Sequence, residues 1–232
     1  MNTRMLLVLS CLTVVAVWQL PYGHLVLYPF TLLATFAHEM GHGLVAILVG
    51  ATFDHLHLYP NGAGLAVWHG NPGRLAQAAI AAGGLLGPSL AGVGILLLAR
   101  SARLARIMLG GLALVVAALT LIWVRNGFGF LFLLSMALAL GLAARSLPDA
   151  AAAFVLHLIA ATLCLSWFSD LAYMFSPHAV INGVTHLSDS AAIAAALWLP
   201  YWFWGGLIAV VSLGLTTLGI AVASKSKAPG SA

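Results

Sequence analysis

Long apolar runs separated by short turns constrain this chain more than any other feature. Each run is about the 20 residues needed to cross a hydrocarbon layer. They fall near residues 5–20, 25–49, 76–99, 107–124, 128–144, 151–168 and 201–222, the first of them short. Lipid leaves a backbone only two solutions, helices or a closed barrel. The runs are continuous rather than alternating, which excludes a barrel. The expected fold is therefore an all-α polytopic membrane protein of six to seven transmembrane helices. Of the 232 residues 62% are hydrophobic and only 6% charged, which excludes an ordinary soluble domain. The formal charge of +4 is scattered between the runs and is not a nucleic-acid patch.

One integral membrane domain is expected over residues 1–224, with a disordered tail at 225–232. The N-terminal run has no small-x-small cleavage site after it, so it reads as an uncleaved span. Cys11 and Cys164 both lie in apolar runs and read as buried thiols. With the N-terminus outside, Arg100, Arg103, Arg106, Arg145, Lys225 and Lys227 fall on the cytoplasmic side, against Arg4, Arg74 and Arg125 opposite. That asymmetry favours a cytoplasmic C-terminus.

Within the second run stands His38-Glu39-Met40-Gly41-His42, an H-E-x-x-H motif. Helix positions i and i+4 share a face, so both imidazoles can reach one metal ion. Glu39 lies beside them and can take a proton from water at that ion, the arrangement of zinc hydrolases. A charged group at the bilayer centre costs about 2.5–3.5 kcal/mol, so three ionisable residues in five positions there call for a function. Zn2+ is the expected cofactor, one catalytic ion. The same residues on a surface helix would be unremarkable; the apolar setting separates the two readings.

Two histidines leave a catalytic zinc short of its usual three protein ligands. The extended H-E-x-x-H-x-x-G-x-x-H pattern would need Gly at 45 and His at 48, where this chain has Val45 and Leu48. Glu39 is the only glutamate, so a carboxylate ligand must be Asp54, Asp149, Asp170 or Asp189. Asp54 belongs to a polar-apolar alternation, and Asp149 reads as a helix-start residue. Asp189 is favoured, Asp170 is second, and His186 and His178 stay open.

Thr52 to Tyr59 alternates, Pro60 to Gly64 turns, and Leu65 to Trp68 follows, which reads as a β-hairpin directly after the motif helix. His55, His57 and His69 are expected on its polar side rather than on a metal. Ser169 to Asp189 reads as non-helical. Gly83-Gly84-Leu85-Leu86-Gly87-Pro88-Ser89 has two readings, close helix packing or an unwound segment lining the site.

These pieces in order resemble the site-2 protease family of intramembrane zinc metalloproteases, in particular a compact bacterial branch without a PDZ domain. They are His38-Glu-Met-Gly-His42 in a span, the hairpin, Ala82-Gly-Gly-Leu-Leu-Gly-Pro-Ser89 and the late Ser188-Asp189-Ser190, together covering about residues 25–210. The resemblance implies hydrolysis of peptide bonds in membrane-spanning protein substrates, within a lipid bilayer, in a bacterial inner membrane. It implies Glu39 as the catalytic base and His38, His42 and a late aspartate as zinc ligands. That aspartate usually stands in an L-D-G-like motif with an asparagine upstream. Here Leu187-Ser188-Asp189-Ser190 takes its place, with Asn182 seven residues before. Asn182, Gly87 and Pro88 are the expected cavity lining. The competing class is a non-proteolytic metal or proton transporter, or a scaffold, using the same intramembrane cluster.

Overall fold

The computed structural model describes residues 3–225. It is an all-α membrane architecture carrying two small hairpins. The elements run α1 (Thr3–Trp18), α2 (Gly23–Leu48), β1 (Thr52–Leu58), β2 (Gly64–His69), α3 (Arg74–Leu98), α4 (Ala102–Trp123), α5 (Gly127–Ser146) and α6 (Asp149–Ser169). They continue α7 (Leu171–Met174), β3 (His178–Ile181), β4 (Val184–Leu187), α8 (Asp189–Leu197) and α9 (Tyr201–Lys225). Among the described residues six helices are long and apolar enough to cross a membrane: α2, α3, α4, α5, α6 with α7, and α9. At 1.5 Å per residue the 16-residue α1 reaches about 24 Å, short of a bilayer core of about 30 Å. The tail beyond Lys225 lies outside the described residues.

The hub of the bundle is α3, which packs against α2, α6, α8 and α9. The α2–α3 contact is close because both helices drop their side chains at the crossing. A Cβ on Gly41 would overlap the Gly83 carbonyl, and one on Gly87 would stand 2.8 Å from the Ala37 carbonyl. Small residues are how helices approach closely without a water-driven force between them. Of the two readings of Gly83–Ser89, the packing one holds. No unwound segment exists there, and α3 continues as helix through Pro88 to Leu98. Gly87 and Pro88 thus serve the α2–α3 packing face, with Pro88 itself buried.

The α4–α5 pair packs against α6, and its apolar faces merge with α2 and β1 into one core holding Leu33, Phe36, Leu56, Leu109, Leu133 and Leu156. Leu114, Leu121, Leu131, Leu138 and Val210 point outward and exposed, as a lipid-facing surface requires.

The first hairpin forms where the alternation placed it, with Leu56 opposite Ala66 and Leu58 opposite Gly64. Its tip is tied back to α2: Thr35 Oγ1 donates to the Gly62 carbonyl at 2.9 Å and Tyr28 Oη to the Pro60 carbonyl at 2.7 Å. The outer edge of β1 is covered by the α4–α5 connection. Arg125 N donates to the Leu56 carbonyl at 3.1 Å, and Leu58 N donates to Asn126 Oδ1 at 3.1 Å. Leu56 and Leu58 therefore turn their backbone groups away from β2. In an antiparallel ladder their opposite residues, Ala66 and Gly64, must turn theirs outward too. The hairpin has one edge covered by the α4–α5 connection, while the other, that of β2, carries no paired strand among the described residues and is open in that sense.

The stretch read from sequence as non-helical, residues 169–189, holds the second hairpin, but it also holds the one-turn helix α7, which that reading did not foresee. β3 and β4 pair from His178–Leu187 to Ile181–Val184 around a two-residue turn. Asn182 (φ 49°) and Gly183 (φ 80°) both take positive φ, the requirement of a type I′ turn. An Asn-Gly pair between β-branched residues is a strong short hairpin signal, and of the two roles open to Asn182, cavity lining or turn, the structure gives the turn.

Gly87→Val should force α2 and α3 apart. A loss of about 1–3 kcal/mol is expected for such overpacking. Thermal unfolding in detergent measures it; an unchanged melting temperature would show that the crossing tolerates a side chain.

Candidate functional site

The motif helix carries His38 and His42 one turn apart, and their ring centroids lie 4.8 Å from each other. Their Nε2 atoms stand 3.1 Å apart. Asp189, from the other end of the sequence, meets both: Oδ2 lies 2.9 Å from His38 Nε2 and Oδ1 3.3 Å from His42 Nε2. All three side chains are largely shielded from solvent.

The cluster suits a zinc ion. Bonds of 2.0–2.2 Å at tetrahedral angles place donor atoms about 3.3 Å apart, and one donor atom from each of the three residues lies within 4.8 Å of the others. Asp189 Oδ2 is buried against His38 Nε2 with no further hydrogen-bond partner, and a cation between the two would satisfy both. Two imidazole nitrogens and a carboxylate form a donor set that suits zinc. Among the described residues this is the one group of three His, Cys, Asp or Glu side chains that converges closely enough to hold a metal.

Each member is oriented from behind. His42 Nδ1 sits 2.8 Å from the Ile80 carbonyl on α3, which makes Nδ1 the protonated nitrogen and leaves Nε2 to face the cluster. A Cβ on Gly84 would run into the His42 ring, so α3 must be bare there. Asp189 is held by the start of α8. Ser188 caps that helix, its Oγ accepting from Ala191 N at 3.2 Å while donating to the Ser176 carbonyl. Asp189 N donates to Tyr173 Oη at 3.1 Å. At the far end of α8, Arg74 Nε donates to the Ala196 carbonyl at 2.8 Å, and the guanidinium carbon lies 4.3 Å from the centroid of Trp198. Both ends of the short helix are thereby fastened to α3 or its surroundings.

Glu39 is buried beside the cluster, 6% exposed. Its carboxylate accepts from the backbone of Ala66, one of the outward-facing groups of β2. A Cβ on Gly64 would stand 2.5 Å from Glu39 Oε1, so this glycine makes room for the carboxylate. The open edge of β2 and the acid of the motif are therefore side by side.

The remaining sequence candidates fall elsewhere. Asp170 lies between α6 and α7, where its carbonyl accepts from Met174 N; its carboxylate is near enough to His38 and Asp189 to interact with their charges but is not among the converging donors. Asp149 opens α6 and pairs with Arg106 Nη1 at 2.8 Å. Asp54 stands at a bulge in β1 with Oδ2 3.2 Å from both His55 Nδ1 and His69 Nε2. His57 is apart from the cluster too, beside His55 and Tyr59. His178 and His186 lie on the second hairpin, and Asn182 is exposed in its turn. The sequence reading missed Tyr173, Ile80 and the Arg74–Trp198 contact. No spacing rule links an aromatic residue or a main-chain carbonyl to a motif far away along the chain.

A multi-pass membrane protein with two motif histidines, a distant aspartate and a buried glutamate around one metal-sized gap has the makings of a membrane-embedded metallohydrolase. The chain belongs to the Peptidase M50B-like family, that of the site-2 proteases, whose match spans residues 7–219. No curated protein and no solved structure matches it.

Asp189→Ala should remove stoichiometric zinc from the purified protein, while Asp170→Ala retains it. Metal analysis by mass spectrometry on both variants decides between the two acids; the reverse result would move the third ligand to Asp170, at the junction of α6 and α7.

Proposed function

We propose that this protein is a zinc-dependent intramembrane endopeptidase that cleaves membrane-spanning protein substrates, acting from a bacterial inner membrane. The observation that carries this is the meeting of His38, His42 and Asp189 beside a buried Glu39, in a chain of a peptidase family. His38, His42 and Asp189 would hold the ion. Bound there, zinc supplies Lewis acidity, polarising a carbonyl oxygen and acidifying a water.

The protein's own groups do the rest. Glu39 takes the proton of the attacking water and returns it to the leaving amine as the C–N bond breaks. The Ile80 carbonyl keeps His42 in the tautomer whose Nε2 faces the cluster. A substrate helix hides its carbonyls in its own hydrogen bonds and must unwind to expose one. The open edge of β2 offers the unwound segment new partners, as strand addition does in peptide recognition. Because Glu39 lies against Ala66 on that edge, a strand docked there passes next to the base. The covered edge of β1 offers no such place.

Glu39→Gln should lower cleavage of a reconstituted membrane substrate by about 10²–10⁴-fold while zinc stays bound. Retained turnover would remove Glu39 from the mechanism. Zinc or proton flux into liposomes, with no peptide cleaved by the parent protein, would replace the peptidase reading with a transporter.

A further inference from the structure

Tyr173 is a polar side chain at this site that the proposed mechanism does not use. It sits on α7 with its ring edge-on to His38, the centroids 6.3 Å apart and the planes at 72°. Its hydroxyl oxygen accepts the Asp189 N–H at 3.1 Å. The ring packs into the apolar cluster of Met174, Ala78, Ala81 and Leu85, which fixes its direction. A tyrosine needed only as a cap for α8 would use one lone pair and leave its proton to solvent. Here the phenol is turned inward, and the groups around it are the Asp189 and Glu39 carboxylates.

The hydroxyl inventory makes the point sharper. A phenol accepts and donates, and the accepting side is taken by Asp189 N–H. The proton is directed to the Asp189 carboxylate, whose two oxygens also face His38 and His42. A cation held by those oxygens would draw them toward itself, and the proton is then available to an oxygen entering the cleft beside the cluster. Asn182, expected from the sequence to line the cavity, is exposed in the β3–β4 turn instead.

Resting on the peptidase reading, we propose that Tyr173 is the neutral electrophile of this site: its hydroxyl donates a hydrogen bond to the scissile carbonyl oxygen and strengthens that bond as negative charge builds on it. No bond to Tyr173 forms or breaks, and the phenol keeps its proton. The benefit is greatest in the transition state, because a preorganised donor aimed at a developing oxyanion acts in a site from which water is largely excluded. The same hydroxyl keeps α7 docked on the first residue of α8, so the donor and the Asp189 carboxylate are positioned by one contact.

Tyr173→Phe keeps the ring against His38 and removes only the hydroxyl. In reconstituted protein, kcat is expected to fall about 10²–10³-fold, the usual loss for one oxyanion donor, with KM changed little. Zinc content and zinc affinity by chelator competition should match the parent. Affinity for a phosphinic-peptide mimic of the tetrahedral state should fall at least about tenfold, a readout independent of turnover. An unchanged kcat, or unchanged phosphinate affinity, would overturn the proposal. So would a loss of zinc affinity that accounts for the whole fall in rate, since Tyr173 would then only position Asp189. A parent protein that binds zinc but cleaves nothing would refute the peptidase reading itself, and the phosphinate comparison separates that outcome from a failure of Tyr173 alone.

Discussion

Two imidazole nitrogens held 3.1 Å apart on a membrane helix, with a carboxylate against both, are the interaction on which the rest of the structure turns. Polar groups at that depth are costly unless they satisfy one another. They can do so only if α2 and α8 present them at one point. The bare crossing of Gly41 with Gly83 and of Gly84 with the His42 ring lets α3 lie close enough to supply the Ile80 carbonyl. Ser188 and the Arg74–Trp198 contact then fix α8, nine residues long and too short to hold a position by its own burial.

The hairpin contributes through its asymmetry. Two-stranded ribbons are marginal by themselves and leave two edges open. Here Asn126 and Arg125 take one edge, and Thr35 and Tyr28 hold the tip to the motif helix. The remaining edge runs past Glu39. The glycine at position 64 is a consequence of that closeness, since a side chain there would occupy the space of the carboxylate.

What the sequence disclosed follows from the range of each rule. Apolar run length located the spans because lipid thickness sets it, and period-2 alternation located β1 and β2 because one face of the hairpin is buried against the core. The i, i+4 spacing paired His38 with His42 because a helix is a local object. Asp189 is different. Acid counting narrowed the field to four aspartates, and only tertiary packing of α8 on α3 brings one of them to the histidines. The Gly-Pro stretch carried two readings that local sequence does not separate, since small residues serve close packing and unwinding alike; the neighbour across the crossing decided for a continuous α3. Tyr173 had no local signature, because its role depends on the N–H of a residue sixteen positions later.

The order of the donors along the chain has a consequence for biosynthesis. The histidines lie on the first of the six long apolar helices, and Asp189 follows the fifth. A chain threading into the bilayer carries His38, Glu39 and His42 through most of its insertion without the acid that completes them. The donor set closes only once α8 has emerged and seated on α3. A nascent chain therefore carries the two histidines without their third partner until the helices between have been made, so the cluster can close only in a chain whose intervening spans have packed.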